Sequence, residues 1–178
     1  MNEEKNVKNI VIIGANLPLV NAVAKQLAGE LEMFYLDLQG LFEFDISPET
    51  FLDLLRQGGE KYFRSRQRGS VKYASSFENT VIAIELGVAE SLDNIEILDK
   101  RGLLILLESE FASFKKQAKQ MSFASRKEKK LFVVSRREFL RRMQNVKQQV
   151  DIMVSAENPD VETIVAEINQ KILEYYSE

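Results

Sequence analysis

The two residue types that most often carry acid–base and metal chemistry are missing from this chain of 178 residues, which has no histidine and no cysteine. That excludes disulfides, thiolate metal sites and a cysteine nucleophile, along with the commonest general base and zinc ligand. Proton transfer would fall to Asp, Glu, Lys or Tyr. Charge supplies the second chemical signal. Between Phe111 and Gln149 there are twelve Lys or Arg against two Glu, so the segment carries +10 in a chain whose net charge is −3. Such an asymmetry points to an anionic partner or ligand, with a solvated helix face as the plain alternative. Phe111, Phe114, Phe123, Phe132 and Phe139 recur within it at spacings that suit burial rather than base stacking. Nucleic acid is therefore disfavoured as the partner.

The elements that must position these residues follow from short apolar runs and amphipathic stretches. Asn9-Ile-Val-Ile-Ile-Gly14 reads as a buried strand closed by glycine. Asn16, Leu17 and Pro18 open a helix, because proline is welcome in a first turn where its missing N–H would be unpaired. Leu19, Val23, Leu27 and Leu31 form one stripe along it. Further strands are expected at 33–38, 80–84, 103–107 and 151–154. Ser47-Pro48-Glu49 reads as a helix start, with Ser as cap and Pro in the first turn. That helix should stop near Gly58-Gly59, and another should follow from 60 to about 78. Helices are also expected at 88–99, 109–121, 135–149 and 159–176, the last opened by Pro159 and Asp160. Ser122–Leu131 has no clear period and reads as a charged, mobile loop or lid.

Short apolar strands alternating with amphipathic helices imply βαβ units and a parallel sheet covered on both faces. The expected fold class is thus three-layer α/β/α with a five-stranded parallel sheet. The length fits one domain over 1–178. At 45% hydrophobic and 29% charged, the composition allows an ordinary packed core. The polar start MNEEKNVKN lacks an apolar signal core, and no apolar run is long enough to cross a bilayer. A soluble, cytoplasmic protein with no membrane partner is the expectation.

In an open parallel sheet, ligands bind beyond the C-terminal ends of the strands. The turn after the first strand, Gly14-Ala-Asn-Leu-Pro-Leu-Val-Asn21, sits where a phosphate-binding G-x-x-x-x-G-K-[ST] loop would sit. Further matches follow in register. They are Ala24-Lys-Gln-Leu-Ala28, Met33-Phe-Tyr-Leu-Asp-Leu38, Gly59-Glu-Lys-Tyr-Phe-Arg64-Ser-Arg66, Val81-Ile-Ala-Ile-Glu-Leu-Gly87 and Arg101-Gly-Leu-Leu-Ile-Leu-Leu-Glu108. A basic segment then stands where a lid belongs, over about 122–134, and Arg142 precedes an Asp-Ile-Met-Val strand. Over essentially its full length the chain resembles shikimate kinase, a small P-loop kinase of the nucleoside-monophosphate-kinase type. The resemblance implies that Arg64 and Arg142 stand for the family's arginines that grip a substrate carboxylate, a task suited to the planar guanidinium. Gly87 is what is kept of the substrate-binding glycines. The alternative for both arginines is pairing with Glu85 or another acid of the chain.

Against that family pattern the departures fall at the chemistry. Gly14 is kept, but later loop glycines are Leu17 and Leu19, the phosphate-binding lysine is Val20, and the magnesium-binding Ser/Thr is Asn21. A phosphate nest needs converging backbone N–H groups, often with positive φ, which costs a leucine roughly 1–2 kcal/mol per residue. Pro18 removes one donor outright. Two carboxylates of the family's second strand are Leu36 and Leu38, with Asp37 between them expected on the opposite face. Two substrate-binding glycines are Glu85 and Leu86.

The sequence thus predicts a catalytically degenerate relative, a pseudoenzyme with no catalytic residue, no cofactor and no metal. It would act as a binding or regulatory protein toward an unknown protein or a small anionic ligand. The alternatives are a divergent active kinase, needing ATP, magnesium and lid arginines such as Arg126 and Arg136, or an anion or nucleic-acid binder through 111–149.

Overall fold

The computed structural model describes residues 7–157 and 160–177. Its elements are β1 (Asn9–Gly14), α1 (Leu17–Glu30), β2 (Phe34–Asp37), α2 (Leu38–Ile46), α3 (Phe51–Ser75), β3 (Thr80–Glu85) and α4 (Leu86–Ala89). Then follow α5 (Leu92–Asp99), β4 (Gly102–Glu108), α6 (Phe111–Ala118), α7 (Arg126–Phe132), α8 (Arg136–Lys147), β5 (Ile152–Ser155) and α9 (Val161–Tyr175). The strands form one parallel sheet in the order β2-β3-β1-β4-β5. This is the α/β/α architecture expected from the sequence.

Strand alternation divides the core into two layers. Ile10 and Ile12 of β1, with Leu103, Ile105 and Leu107 of β4, face α1 and α9. Val11 and Ile13, with Leu104 and Leu106, face the layer that holds Val71, Phe139 and Met143. The central strands are buried on both sides, which is why they read as unbroken apolar runs. A third cluster lies beyond the sheet, where Phe42, Phe51 and Phe63 pack with Leu131 and Phe132.

Several local expectations need correction. Ser47 does not start a helix; it closes α2, its N–H donating to Phe44 O. The next helix begins three residues later, with Thr50 as N-cap in a reciprocal capping box with Asp53. That box satisfies two orphan N–H groups at once and outcompetes the Ser-Pro signal. Asp37 ends β2 and caps α2, accepting from Gln39 N at 3.0 Å. The helix break expected at Gly58-Gly59 is present, however: within the span of α3, Gly59 is non-helical with φ 68° and ψ −165°, a conformation that suits glycine, so 51–58 and 60–75 are two helices meeting at a kink. The span expected at 88–99 is two helices, broken at Ser91.

The largest correction is the lid. Arg126–Phe132 is a helix, not a loop, started by Ser125, whose hydroxyl accepts from Glu128 N at 3.1 Å. Its Leu131 and Phe132 are buried in the third cluster. Asp160 caps α9 as expected, while Pro159 lies outside the described residues. Among the described residues no helix is long and apolar enough to cross a membrane.

Candidate functional site

The turn after β1 is two residues long, Ala15 and Asn16, because α1 starts at Leu17. Asn16 caps it, its Oδ1 accepting from Leu19 N at 3.2 Å, and Pro18 occupies the first turn. Once the helix is capped this early, residues 17–20 become helical and their side chains are placed by the 3.6-residue period. Leu19 and Val20 turn inward, 8% and 1% exposed, and join the core layer of α1 and α9. Val20 packs so tightly on Gly14 that a Cβ built there would lie 2.7 Å from Val20 Cγ2. Leu17 and Asn21 are half-buried, and Asn21 Oδ1 is a buried acceptor with no hydrogen-bond partner among the described residues. The space left between this turn, Leu107, Ser109 and Gln117 is about 10 Å³, about the minimum for a single water.

The second part of the site lies at the end of β3. Glu85 caps the short α4, accepting from Gly87 N at 3.1 Å through Oε1. Its Oε2 is shut off from solvent with no hydrogen-bond partner among the described residues. Burial pushes this carboxyl above the usual carboxylate range, against the pull of Arg64, the Gly87 amide and Arg142; Glu90 adds to the rise. Gly87 permits this arrangement: a Cβ there would meet Arg142 Nη1 at 2.9 Å and both Glu85 oxygens at 3.0 Å.

The structure therefore brings Arg64, Glu85, Gly87 and Arg142 together, but commits the arginines elsewhere. Arg142 is buried on α8, and its Nε pairs with Glu90 at 2.8 Å and with Glu138 at 3.3 Å. Neighbouring Arg141 bridges the same two acids, and its hydrogen bond holds the Glu138 carboxyl below the usual range. Arg64 donates to Gln67 Oε1 at 3.0 Å and to Leu131 O at 3.4 Å, and lies 3.6 Å from Glu60. Its bond to Leu131 ties α3 to the lid. Leu38, Gln67, Glu85, Phe51 and Phe132 then close over a void of about 10 Å³.

The sequence reading set Arg64 and Arg142 as carboxylate- or anion-binding residues, with pairing to an acid as the alternative, and it did not single out Glu90, Glu138 or Gln67. Glu138 and Gln67 are one helical turn from Arg142 and Arg64, while Glu90 reaches Arg142 only when α8 packs on the end of α4. The sequence reading also missed Phe132 as the side chain that fills the cleft. Ser125-x-x-Glu128 was the available signal for α7, a capping-box pattern within a charged stretch. Leu36 and Leu38, set by the resemblance where the family has carboxylates, join one apolar layer, Leu38 buried at the start of α2 and Leu36 packed against that layer. Of the twelve basic residues between 111 and 149, Arg142 is buried and Lys147 pairs with Glu108. Arg126 and Arg136 are exposed. Among the described residues no group of three acidic side chains is placed to hold a metal ion.

Comparison with known proteins places this geometry in a family. A shikimate kinase from Caldanaerobacter subterraneus subsp. tengcongensis is 33% identical over 103 residues, which are 58% of this chain and 60% of that one. One from Pelotomaculum thermopropionicum is 31% identical over 101 residues, 57% and 58% of the two chains. The chain thus spans about three fifths of the length of these relatives. Among solved structures, the shikimate kinase from Acinetobacter baumannii in complex with shikimate matches 96% of this chain and 95% of that one. The TM-score is 0.77 at 19% identity. The enzyme from Aquifex aeolicus gives 0.73 at 22%, over 92% of this chain and 95% of that one, and both likenesses speak for the fold. The shikimate kinase family model matches residues 21–173, beginning just past the turn that Val20 fills, and the chain belongs to the shikimate kinase family.

Proposed function

We propose that this chain is a non-catalytic member of its family, a binding or regulatory protein that does not transfer phosphoryl groups. One observation carries the reading: Val20, which the resemblance sets at the position of the family's phosphate-binding lysine, is 1% exposed and packed against Gly14. Phosphoryl transfer depends on positioning and on cations that stabilise the developing charge. The residues here do not fit a triphosphate with magnesium. The turn is helical from Leu17, Pro18 offers no N–H, and the enclosed space beside Gly14 is about 10 Å³. A larger opening of about 460 Å³ lies over Ala15–Leu19, between them and Phe114, Gln117 and Met121, but among the described residues no lysine or arginine lines it to hold phosphate. The substrate cleft is occupied likewise, by Phe132 and by the chain's own Glu85. The partner proposed is a protein or small anion that meets the basic face of 111–149, where Lys115, Lys116, Lys119 and Arg137 are exposed.

A second reading, a divergent active shikimate kinase, is the one favoured by the comparisons, since the relatives carry that name. It requires the exposed Arg126 and Arg136 to hold nucleotide in place of the missing lysine. A thermal-shift titration with ATP–magnesium, ADP and shikimate, alone and together, separates the two. A ligand at one hundred times its Kd adds about 2.7 kcal/mol of stability, a plain rise in Tm. No shift with nucleotide up to about millimolar concentration supports the non-catalytic reading; a magnesium-dependent ATP shift overturns it.

A further inference from the structure

A larger cavity lies outside the cleft, on the far side of its aromatic wall. It measures about 670 Å³ and is bounded by α2, the start of α3, and residues 121–132 of the lid. That is the size of a pocket for a small organic molecule. Phe51 and Phe132 line both this cavity and the 10 Å³ void over Glu85, so they form the partition between the two. On the outer side Phe123 stacks on Phe132, centroids 6.0 Å apart, and Met121 and Ile46 extend an apolar floor.

The charged side chains around this floor are of one sign. Glu43, Glu49 and Glu128 line the cavity, and no lysine or arginine is among the residues that do. This holds although the lid is the most basic part of the chain. The glutamates are held in place: Glu43 accepts from Gln39 at 2.9 Å, Glu128 accepts from Ala124 N at 2.8 Å, and Glu49 accepts from Gln57. Among the described residues, only Glu49 of the three has a cationic nitrogen within 4.0 Å, Arg66 at 3.8 Å. Glu43 and Glu128 keep net negative charge facing the apolar floor. Aromatic faces below carboxylates match one ligand class, because a ring quadrupole and a carboxylate both attract positive charge.

We propose that this cavity is a binding site for a small organic cation with an apolar or aromatic body. The body lies on Phe51, Phe123 and Phe132, and the charged end faces Glu43, Glu49 and Glu128. A ligand of that charge is the opposite of what the arginines of the neighbouring cleft would attract. The proposal stands whether or not the chain binds ATP, since it uses no residue of the turn at Gly14; with the void over Glu85 it shares the rings of Phe51 and Phe132, seen from their other side.

The test uses three naphthalene probes of similar size: a (naphthylmethyl)trimethylammonium ion, neutral naphthylmethanol and naphthalenesulfonate. Tryptophan is absent from the chain, so naphthalene fluorescence reports binding without indole background. The cation should bind at least about ten-fold more tightly than the sulfonate, and its amide shift changes should map to residues 43–52 and 121–132. The Glu43→Gln/Glu49→Gln double variant should weaken the cation about four- to twenty-fold, two- to five-fold per exposed carboxylate, and leave the neutral probe unchanged. Equal binding of the sulfonate overturns the proposal. Shifts that map elsewhere, or an unaffected double variant with native circular dichroism, overturn it too. The probe comparison is made on the wild-type chain and needs no variant to fold.

Discussion

Val20 and Gly14 are locked together: the methyl of one fills the space where any side chain on the other would go, at 2.7 Å from a built Cβ. Gly14→Ala should therefore destabilise the chain by about 1–3 kcal/mol, the usual cost of overpacking a tight core. Urea denaturation of the single variant and of Gly14→Ala/Val20→Ala checks this. The double variant should recover part of the loss that Gly14→Ala causes when measured against Val20→Ala alone. Simple additivity would show that the two residues do not share the space.

Restoring the family's lysine alone should harm rather than help. Val20→Lys places an ammonium in the layer formed by α1, α9 and the sheet, where Val20 is 1% exposed and its neighbours are apolar. A buried charge without a partner costs about 3 kcal/mol or more. The expected result is a lower Tm and no gain in ATP–magnesium binding by calorimetry. An active Val20→Lys variant would show that the turn opens more easily than its packing implies.

Glu85 makes the chain's stability depend on pH. Its folded-state pKa is raised by burial, so the folded chain holds this proton more tightly than the unfolded chain does. The contribution is complete below the ordinary carboxylate range and is lost as pH rises through the window up to the raised folded value. Arg64 from α3, Arg142 from α8 and the Gly87 amide oppose the rise, and Glu90 adds to it. Glu85→Gln keeps the shape and removes the titration. Its stability relative to wild type should increase as pH goes from about 4 to 7, as measured by denaturation across that range. A relative decrease would mean that the two arginines outweigh burial.

The lid should report through the aromatic cluster. Phe63 is fully buried, edge-on to Phe42 and Phe51 at 5.3 and 5.2 Å. Phe63→Ala should cost about 3–5 kcal/mol globally. Phe132→Ala removes the lid's own anchor, so local opening should exceed global loss. Trypsin cleavage at the exposed Arg126, Lys127, Lys129 and Lys130 should then speed up before urea unfolding shifts by a comparable amount. Unchanged cleavage would mean that Leu131 and the Arg64 bond hold α7 without the ring.

Much of the sheet was legible because its central strands β1, β3 and β4 are buried on both faces and leave unbroken apolar runs. The early start of α1 was legible too, from Asn16 and Pro18, and it decides the state of the site. What escaped were features set by tertiary partners. α2 is short and follows β2 without a break, so Leu38 read as the strand's last residue rather than the helix's first. Ser47-Pro48 and Thr50-x-x-Asp53 are both start signals, and only the folded chain shows which backbone N–H groups need a cap. Glu138, four residues from Arg142 on α8, was readable from helical spacing, but Glu90 lies fifty-two residues away at the end of α4, which pattern alone does not bring to α8. The outer cavity has no sequence signature, since its glutamates come from α2, the α2–α3 link and α7.

The packing of Val20 on Gly14 also sets how this turn can change. Val20 is 1% exposed and Leu19 8%, and both belong to the layer of α1 and α9. A polar or charged side chain at either position loses that packing at once, and a glycine at 17 or 19 weakens the first turn of α1. Selection acting on one substitution at a time would therefore meet a descent at each first step. The pair at 14 and 20 acts as a ratchet that keeps the turn closed.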